Sequence, residues 1–268
     1  MTKLGKTYNL SERLSVVWNR RPGKPFEFDK VEQFSQAVQK YISDQWYSSL
    51  EAIQLIEDVT WINHPHQNNL AENKPRQLLK AIEQGFNIPD TLISNSLKNI
   101  QEFTSNYSSV VAKSLYSPLI EEPEQDYFIF TNKISLSDLT DEIEFKISPS
   151  IFQECITHKV DYRVTVIGEE VIPVRIDMSN KNGLDWRLEK GGIEFNKCEL
   201  PHEVVDSCRR YVNDFGLIFG AIDLVEYHNK FYFLEINPNG EWGWLQKKLN
   251  VNIAQNLCEI MINNDIKK

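Results

Sequence analysis

The chain has 268 residues, 41% of them hydrophobic and 11% aromatic, which is enough apolar material to core one large domain or two modest ones and too much for a disordered chain. Its 29 Lys and Arg stand against 38 Asp and Glu, a net charge of −9 with no long basic run, so nucleic acid is not expected as a partner. Cys155, Cys198, Cys208 and Cys258 are scattered without CxxC spacing, which suits buried thiols in a reducing compartment rather than zinc. The N-terminus has no apolar signal region and no run approaches the ~20 apolar residues of a membrane helix, so a cytoplasmic protein without a membrane partner is expected.

In chain order, "LSVVWN" reads as a short strand, and residues 29–58 carry Val31, Phe34, Val38, Tyr41 and Ile42 at helical spacing. "WINHPHQNN" interrupts this, with His64 and His66 expected in a loop cap or turn rather than as catalytic bases. A helix from about Glu72 to Gln84 is expected to end at Gly85, followed by the extended piece "NIPDTLIS". "SVVAKSLY", "DYFIFTNKI", "SIFQECI", "YRVTVIG" and "EVIPVRID" then read as strands, the last two joined by a hairpin at Gly168. A helix over Pro201 to Phe215, the strand "LIFGAIDLVEY", the strand "FYFLEIN" and a helix from about Val251 to Asn263 complete a mixed α+β pattern with antiparallel strands toward the C-terminus.

The stretch "FYFLEINPNGEWGW" sets Glu235 and Asn237 in an apolar strand that Pro238 and Gly240 end. Simple alternation puts Phe231, Phe233, Glu235 and Asn237 on one face. Asp223 is a second lone acid in an apolar strand, twelve residues before Glu235. A three-residue loop at His228 to Lys230 would place Asp223 opposite Glu235 and Ala221 opposite Asn237; a two-residue loop would pair Asp223 with Leu234 on the other face. In the first register three oxygen donors converge as ligands for a hard cation, whereas the plainer alternative is a surface acid at each strand end. Trp242, Trp244, Phe231 and Phe233 are expected to serve packing rather than to form a peptide-binding shelf.

The D-x(11)-E-x-N spacing, preceded by "VVAKS" and "QEC", resembles the ATP-grasp ligases. More closely, "WINHP", "NKPRQLLKAIEQGFNIPDTLISN", "DWR" and "FLEINPNGEWGW" look like the microviridin-type branch, the graspetide synthetases, over roughly residues 14–262. That resemblance implies an α+β ATP-grasp fold in which two subdomains grip ATP. It implies two Mg²⁺ ions, with Asp223 on one, Glu235 bridging both and Asn237 on the other. It also implies Lys113 at the α-phosphate and adenine edge and Lys74 facing the phosphates, where the plain alternative for each is a solvated charge. Glu154, Cys155 and Ile156 become a hinge against adenine, with Glu154 or Asp161 near the ribose. Arg163 and Arg187 hold phosphate or an acyl-phosphate, for which a guanidinium fork is suited; surface salt bridges are the plain alternative.

The loop expected to close over the phosphates, "FTNKISLSD", lacks glycine, so Thr131, Asn132 and Ser135 are expected to close it. Residues 1–71 are expected to form an incomplete N-terminal segment and 72–268 the ATP-grasp domain, because "SVVWNRRP" normally lies well inside the family's first α/β domain. Helices in 29–58 should then expose apolar surface, and the segment should be mobile, dimerise or recruit a companion chain. The implied function is an ATP-dependent ligase that activates Asp or Glu side chains of a ribosomal precursor peptide and forms ester or amide crosslinks. The competing functions are a glutamate-adding or amino-acid ligase and a non-catalytic nucleotide- or leader-peptide-binding partner.

Overall fold

Val16–Trp18 (β1), two β-branched residues and an aromatic, pairs in parallel with Thr60–Ile62 (β2), and the crossover between them carries the helix Gln36–Glu51 (α1). The computed structural model describes residues 2–3, 6–7, 9–20, 31–116, 119–120, 127–129, 131–179, 183–188 and 191–265. Residues 29 and 30 of the expected helical stretch, and Phe130 of the expected closing loop, lie outside them. The Ser35 hydroxyl accepts from the Val38 N–H at the start of α1, yet no residue of α1 is buried. Around it Phe34, Tyr41 and Leu55 are 50%, 64% and 82% exposed.

"WINHPHQNN" is not simply an interruption, because its first half is β2 and its second half opens the helix Pro65–Glu72 (α2). Proline is tolerated at the first turn, where its missing N–H is not needed. His64 does cap, its Nδ1 accepting from the His66 N–H at 3.2 Å. The next helix, Lys74–Glu83 (α3), starts at Asn73, whose side chain accepts from the Arg76 N–H at 3.0 Å, and gives way to Gly85 at φ +86°.

A small antiparallel sheet follows, built from Thr91–Ser94 (β3), Val110–Lys113 (β4), Asn132–Ile134 (β5) and Ser150–Glu154 (β6) in the order β3-β6-β4-β5. Leu97–Ser105 (α4) and Glu142–Ile147 (α5) flank it, and Ile100, Val110, Leu139 and Phe152 form its core. The larger sheet consists of Val160–Ile167 (β7), Glu170–Met178 (β8), Ile193–Lys197 (β9), Phe219–Tyr227 (β10) and Lys230–Asn237 (β11) in the order β9-β8-β7-β10-β11, all antiparallel. The helix His202–Asp214 (α6) precedes β10; Gly243–Leu249 (α7) and Ile253–Asp265 (α8) follow β11.

Strand alternation divides the larger sheet by face. Tyr162, Val164, Val166, Ile222 and Leu224 pack with Ala71 of α2, Leu78 and Ala81 of α3 and Val204, Cys208, Tyr211 and Val212 of α6. On the opposite face, Ile167, Val174 and Phe219 are closed off by Leu245 of α7, by Val251 and by Ile253 and Leu257 of α8, and Ile62 of β2 joins the same cluster. The rest of that face, including Asp161, Asp223 and Val225, looks onto a cavity whose other wall carries Val111, Lys113 and Gln153 of the small sheet. Two α+β lobes therefore enclose one cleft.

Candidate active site

The cleft floor is set by the β10–β11 hairpin. Tyr227 pairs with Lys230, so the loop has two residues, His228 and Asn229, both left-handed with φ +48° and +58°. Alone, that loop would have put Asp223 opposite Leu234. A β-bulge shifts the register between Asp223 and Leu224, leaving Leu234 unpaired, and Asp223 falls opposite Glu235 with Ala221 opposite Asn237. The expected pairing is reached by a bulge, not by a three-residue loop. The bulge also corrects the expected shared face: Phe231 and Phe233 pack toward the helices with Leu224 and Ile236, while Leu234, Glu235 and Asn237 line the cleft.

As the edge strand, β11 offers unpaired backbone groups, and the buried Gln77 and the exposed Asn87 take them up. Gln77 of α3 receives the Ile236 N–H at 3.2 Å and donates to the Ile236 carbonyl at 3.1 Å, fixing the backbone between the two candidate ligands. The Asn87 carbonyl accepts from the Phe233 N–H at 2.8 Å, and its side chain donates to the Phe231 carbonyl at 3.1 Å.

The cleft measures about 610 Å³ and its walls bear charges in opposed pairs. Arg163, expected to hold phosphate, is 7% exposed and donates to Asp223 at 2.8 Å, its partner across β7 and β10 on the same sheet face. Gly240 makes room for it, since a Cβ there would lie 2.7 Å from Arg163 Nη2 and 2.5 Å from the Ala221 Cβ. Arg187 does line the cleft. Asp185 grips its Nε at 2.9 Å and its Nη2 at 2.8 Å, and Nη1 lies 3.4 Å from Glu235. Burial opposes the Glu235 charge, but Arg187, Lys74, Lys113 and Arg163 outweigh it and hold the carboxyl below the usual range. Burial pushes Asp223 the other way, upward, with Glu235 adding to the shift and Arg163 opposing it. Two carboxyls of opposed bias therefore face each other.

Lys113 donates to Gln153 at 2.7 Å, and Gln153 is oriented by donating to the Thr91 hydroxyl at 2.9 Å. Burial lowers the Lys113 pKa, partly offset by Glu235. Lys74, at the start of α3, donates to the Ser114 carbonyl at 2.9 Å and also lines the cleft. At the other end lie Glu154, Cys155 and Ile156. The Glu154 and Cys155 N–H groups are donated to the carbonyls of Asp90 and Ser109. Asp161 lies on the floor near Asp223, paired with Lys159, with its Oδ2 buried and unpartnered. Of the expected closing residues, Thr131 lines the cleft, Asn132 lies in β5 and Ser135 is spent on capping a short turn with Asp138.

Glu72, Gln77, Gln153, Lys159 and Asp185 also line this cleft without having been singled out in the sequence. A glutamine on the apolar face of α3, beside Leu78 and Ala81, was the available signal for Gln77. The donor set of Asp223, Glu235 and Asn237 is all oxygen, which fits Mg²⁺ and not a soft metal. Among the described residues no group of three or more His, Cys, Asp or Glu is placed to hold a metal, this cleft included, so the set depends on the Asn237 oxygen as its third donor. None of the helices in those residues is long and apolar enough to cross a membrane.

Residues 71–261 match the RimK-like ATP-grasp domain. Among curated proteins, a tetrahydromethanopterin:alpha-L-glutamate ligase of Methanocaldococcus jannaschii is 30% identical over 102 residues, 38% of this chain and 34% of the relative. An uncharacterized protein of the same organism is 26% identical over 210 residues, 77% of this chain and 50% of the relative, so the chain spans a third to a half of these relatives. Among solved structures, a Chryseobacterium gregarium RiPP-associated ATP-grasp ligase, in complex with ADP and a leader and core peptide, is 25% identical with a TM-score of 0.82, covering 93% of this chain and 76% of that one. The macrocyclase MdnC from Microcystis aeruginosa, bound with precursor peptide MdnA, is 25% identical with a TM-score of 0.83, covering 94% and 80%. ATP-grasp ligase PsnB with minimal precursor, Mg and ADP shares the fold at 23% identity and a TM-score of 0.76, covering 94% and 78%. With most of its length matched by one family and its two lobes closing on one charged cleft, the chain belongs to the RimK-like ATP-grasp family.

Proposed function

We propose that the protein is an ATP-dependent ligase that activates carboxyl side chains of a ribosomal precursor peptide and joins them to a Ser or Thr hydroxyl or a Lys amine. The observation that carries this reading is the pairing of Asp223 with Glu235 and of Ala221 with Asn237, which turns three oxygen donors into a cleft also served by Lys74, Lys113 and Arg187. Ligation of a carboxylate needs activation because its oxygen is a poor leaving group. A carboxylate oxygen attacks the γ-phosphorus and ADP leaves; the hydroxyl or amine then attacks the acyl carbon, phosphate leaves and one proton is released. The likeness to ligases solved with leader, core or precursor peptides supports a peptide as the acceptor.

Within this reading Asp223, Glu235 and Asn237 hold two Mg²⁺ ions, whose charge when bound offsets phosphate repulsion. Lys113 and Lys74 bind the phosphates, the backbone of Glu154 to Ile156 meets the adenine edge, and Glu154 or Asp161 takes the ribose. Arg187, held rigid by Asp185, presents one guanidinium nitrogen toward Glu235 for the anionic carboxylate or its acyl-phosphate. Arg163 serves by holding Asp223.

Incubating the protein with Mg·ATP and a short precursor peptide carrying Asp or Glu together with Ser, Thr or Lys tests the proposal: each bond should remove one water mass and produce one ADP. A glutamate-adding ligase is the second reading, favoured by the curated glutamate ligase relative. It predicts instead a gain of one glutamyl residue when free glutamate is supplied.

A further inference from the structure

One chain of buried amides reaches the cleft from outside the segment matched by the family. Asn63, at the end of β2, is almost fully buried, and its Oδ1 accepts the Ile218 and Phe219 N–H groups at 2.8 and 2.9 Å. Its Nδ2 donates to the Phe219 and Pro238 carbonyls at 2.8 and 3.0 Å and to Asn68 Oδ1 at 3.1 Å. Asn68, on α2 and equally buried, passes the link on, its Nδ2 donating to Asn239 Oδ1 at 3.2 Å. The Asn239 N–H then donates to Asn237 Oδ1 at 2.9 Å, and its Nδ2 lies 3.5 Å from Glu72.

A carboxamide in water rotates freely and presents oxygen or nitrogen with little preference. Here every amide in the series has a donor-to-acceptor order that allows one orientation only. Reversing Asn68 would set its Nδ2 against the Asn63 Nδ2 and its oxygen against the Asn239 oxygen, two repulsions for two lost bonds. The side-chain order ends at Asn239, which Asn68 holds in the turn; the main-chain N–H of Asn239 then satisfies one lone pair of the Asn237 oxygen and leaves the other for the cleft. The turn closing over it is tight, with the Gly240 N–H on the Asn237 carbonyl at 3.2 Å.

We propose that Asn68 is a positioning residue for Asn237: acting through Asn239, it fixes the carboxamide so that oxygen and not nitrogen faces a divalent cation in the cleft. This rests on the metal role proposed for Asn237, and extends the metal site's support into α2. Outer partners of metal ligands commonly carry a 10–100-fold share of metal affinity.

The test is Mn²⁺ binding to the full chain in the presence of ADP, read by the loss of free-ion signal in electron paramagnetic resonance, alongside calorimetry of ADP without metal. Asn68→Ala is expected to weaken Mn²⁺ binding about 10-fold or more while metal-free ADP affinity stays within about twofold. Asn239→Ala should do the same, and it keeps the test available if Asn68→Ala fails to fold, because the Asn239 side chain touches only Asn68 and Glu72 among these partners. Unchanged Mn²⁺ affinity in Asn239→Ala, or an equal loss of metal-free ADP affinity, would overturn the proposal. Absence of Mn²⁺ binding to the wild-type protein with ADP would instead overturn the metal site itself, and the role of Asn68 with it.

Discussion

The β10–β11 hairpin and helix α1 are both rich in large apolar side chains, yet every residue from Phe219 to Val225 is buried and none of α1 is. The difference lies in what each has to lean on. β10 sits between β7 and β11, with α2, α3 and α6 on one face and the second lobe across the other. Helix α1 crosses a sheet of only two three-residue strands, which is narrower than the face it would cover. An apolar period tells which face of an element is sticky; burial depends on whether another element is wide enough to meet it. The hairpin can therefore afford lone acids held by cations, and α1 tolerates change.

The largest expected effect is at the hairpin. Asp223→Ala, Glu235→Ala and Asn237→Ala should each abolish ADP formation with an unchanged circular dichroism spectrum, since each removes a donor and little core volume. Wild-type turnover by Glu235→Ala at saturating Mg²⁺ would remove that residue from the site. Next, Gly240→Ala should cost about 1–3 kcal/mol in denaturant unfolding, because the added Cβ meets the Ala221 Cβ at 2.5 Å and Arg163 at 2.7 Å. Lys113→Ala should weaken ADP binding by about 1–3 kcal/mol, the scale of a charged hydrogen bond; unchanged affinity in calorimetry would make Lys113 structural.

A subtler signature is electrostatic. Burial opposes the Asp185 charge, but the Arg187 fork overcomes it and holds its carboxyl below the ordinary aspartate value. A depressed folded-state acid gives stability that is present above the ordinary value and lost as pH falls through the folded one. Asp185→Asn should thus flatten the acid limb of the stability curve below the ordinary aspartate value and leave its slope near neutrality alone; an unaltered acid limb would count against the fork. At the other pole, Tyr41→Ser on α1 should change stability by no more than about 0.5 kcal/mol.

Much of this was legible in advance. Four strands of the larger sheet (β7, β8, β10 and β11), the Gly85 end of α3 and the helix before β10 follow from alternation, Pro and Gly placement and 3.6-residue spacing, whereas β9 and the Asn73 cap of α3 were not read from the sequence. The pairing of Asp223 with Glu235 was legible only as one of two registers, because a bulge is one unpaired residue and Leu234 carries no mark of it. Helix α4 was missed since "SLKNIQEFTS" offers few apolar positions and no strong cap, and its Ser96 makes no side-chain capping bond. The roles of Asn63, Asn68 and Asn239 were invisible for another reason: an asparagine in a turn and one in a buried relay are the same letter, and only the folded partners distinguish them.

The central claim is that the Asp223, Glu235 and Asn237 cluster makes nucleotide binding depend on a divalent cation. Calorimetric titration of ADP into the wild-type protein and Glu235→Ala, each with and without Mg²⁺, tests it directly. The wild-type protein should bind ADP at least about tenfold more tightly with Mg²⁺, and the variant should show no such gain. Equal enhancement by Mg²⁺ in both proteins would contradict the assignment of the site.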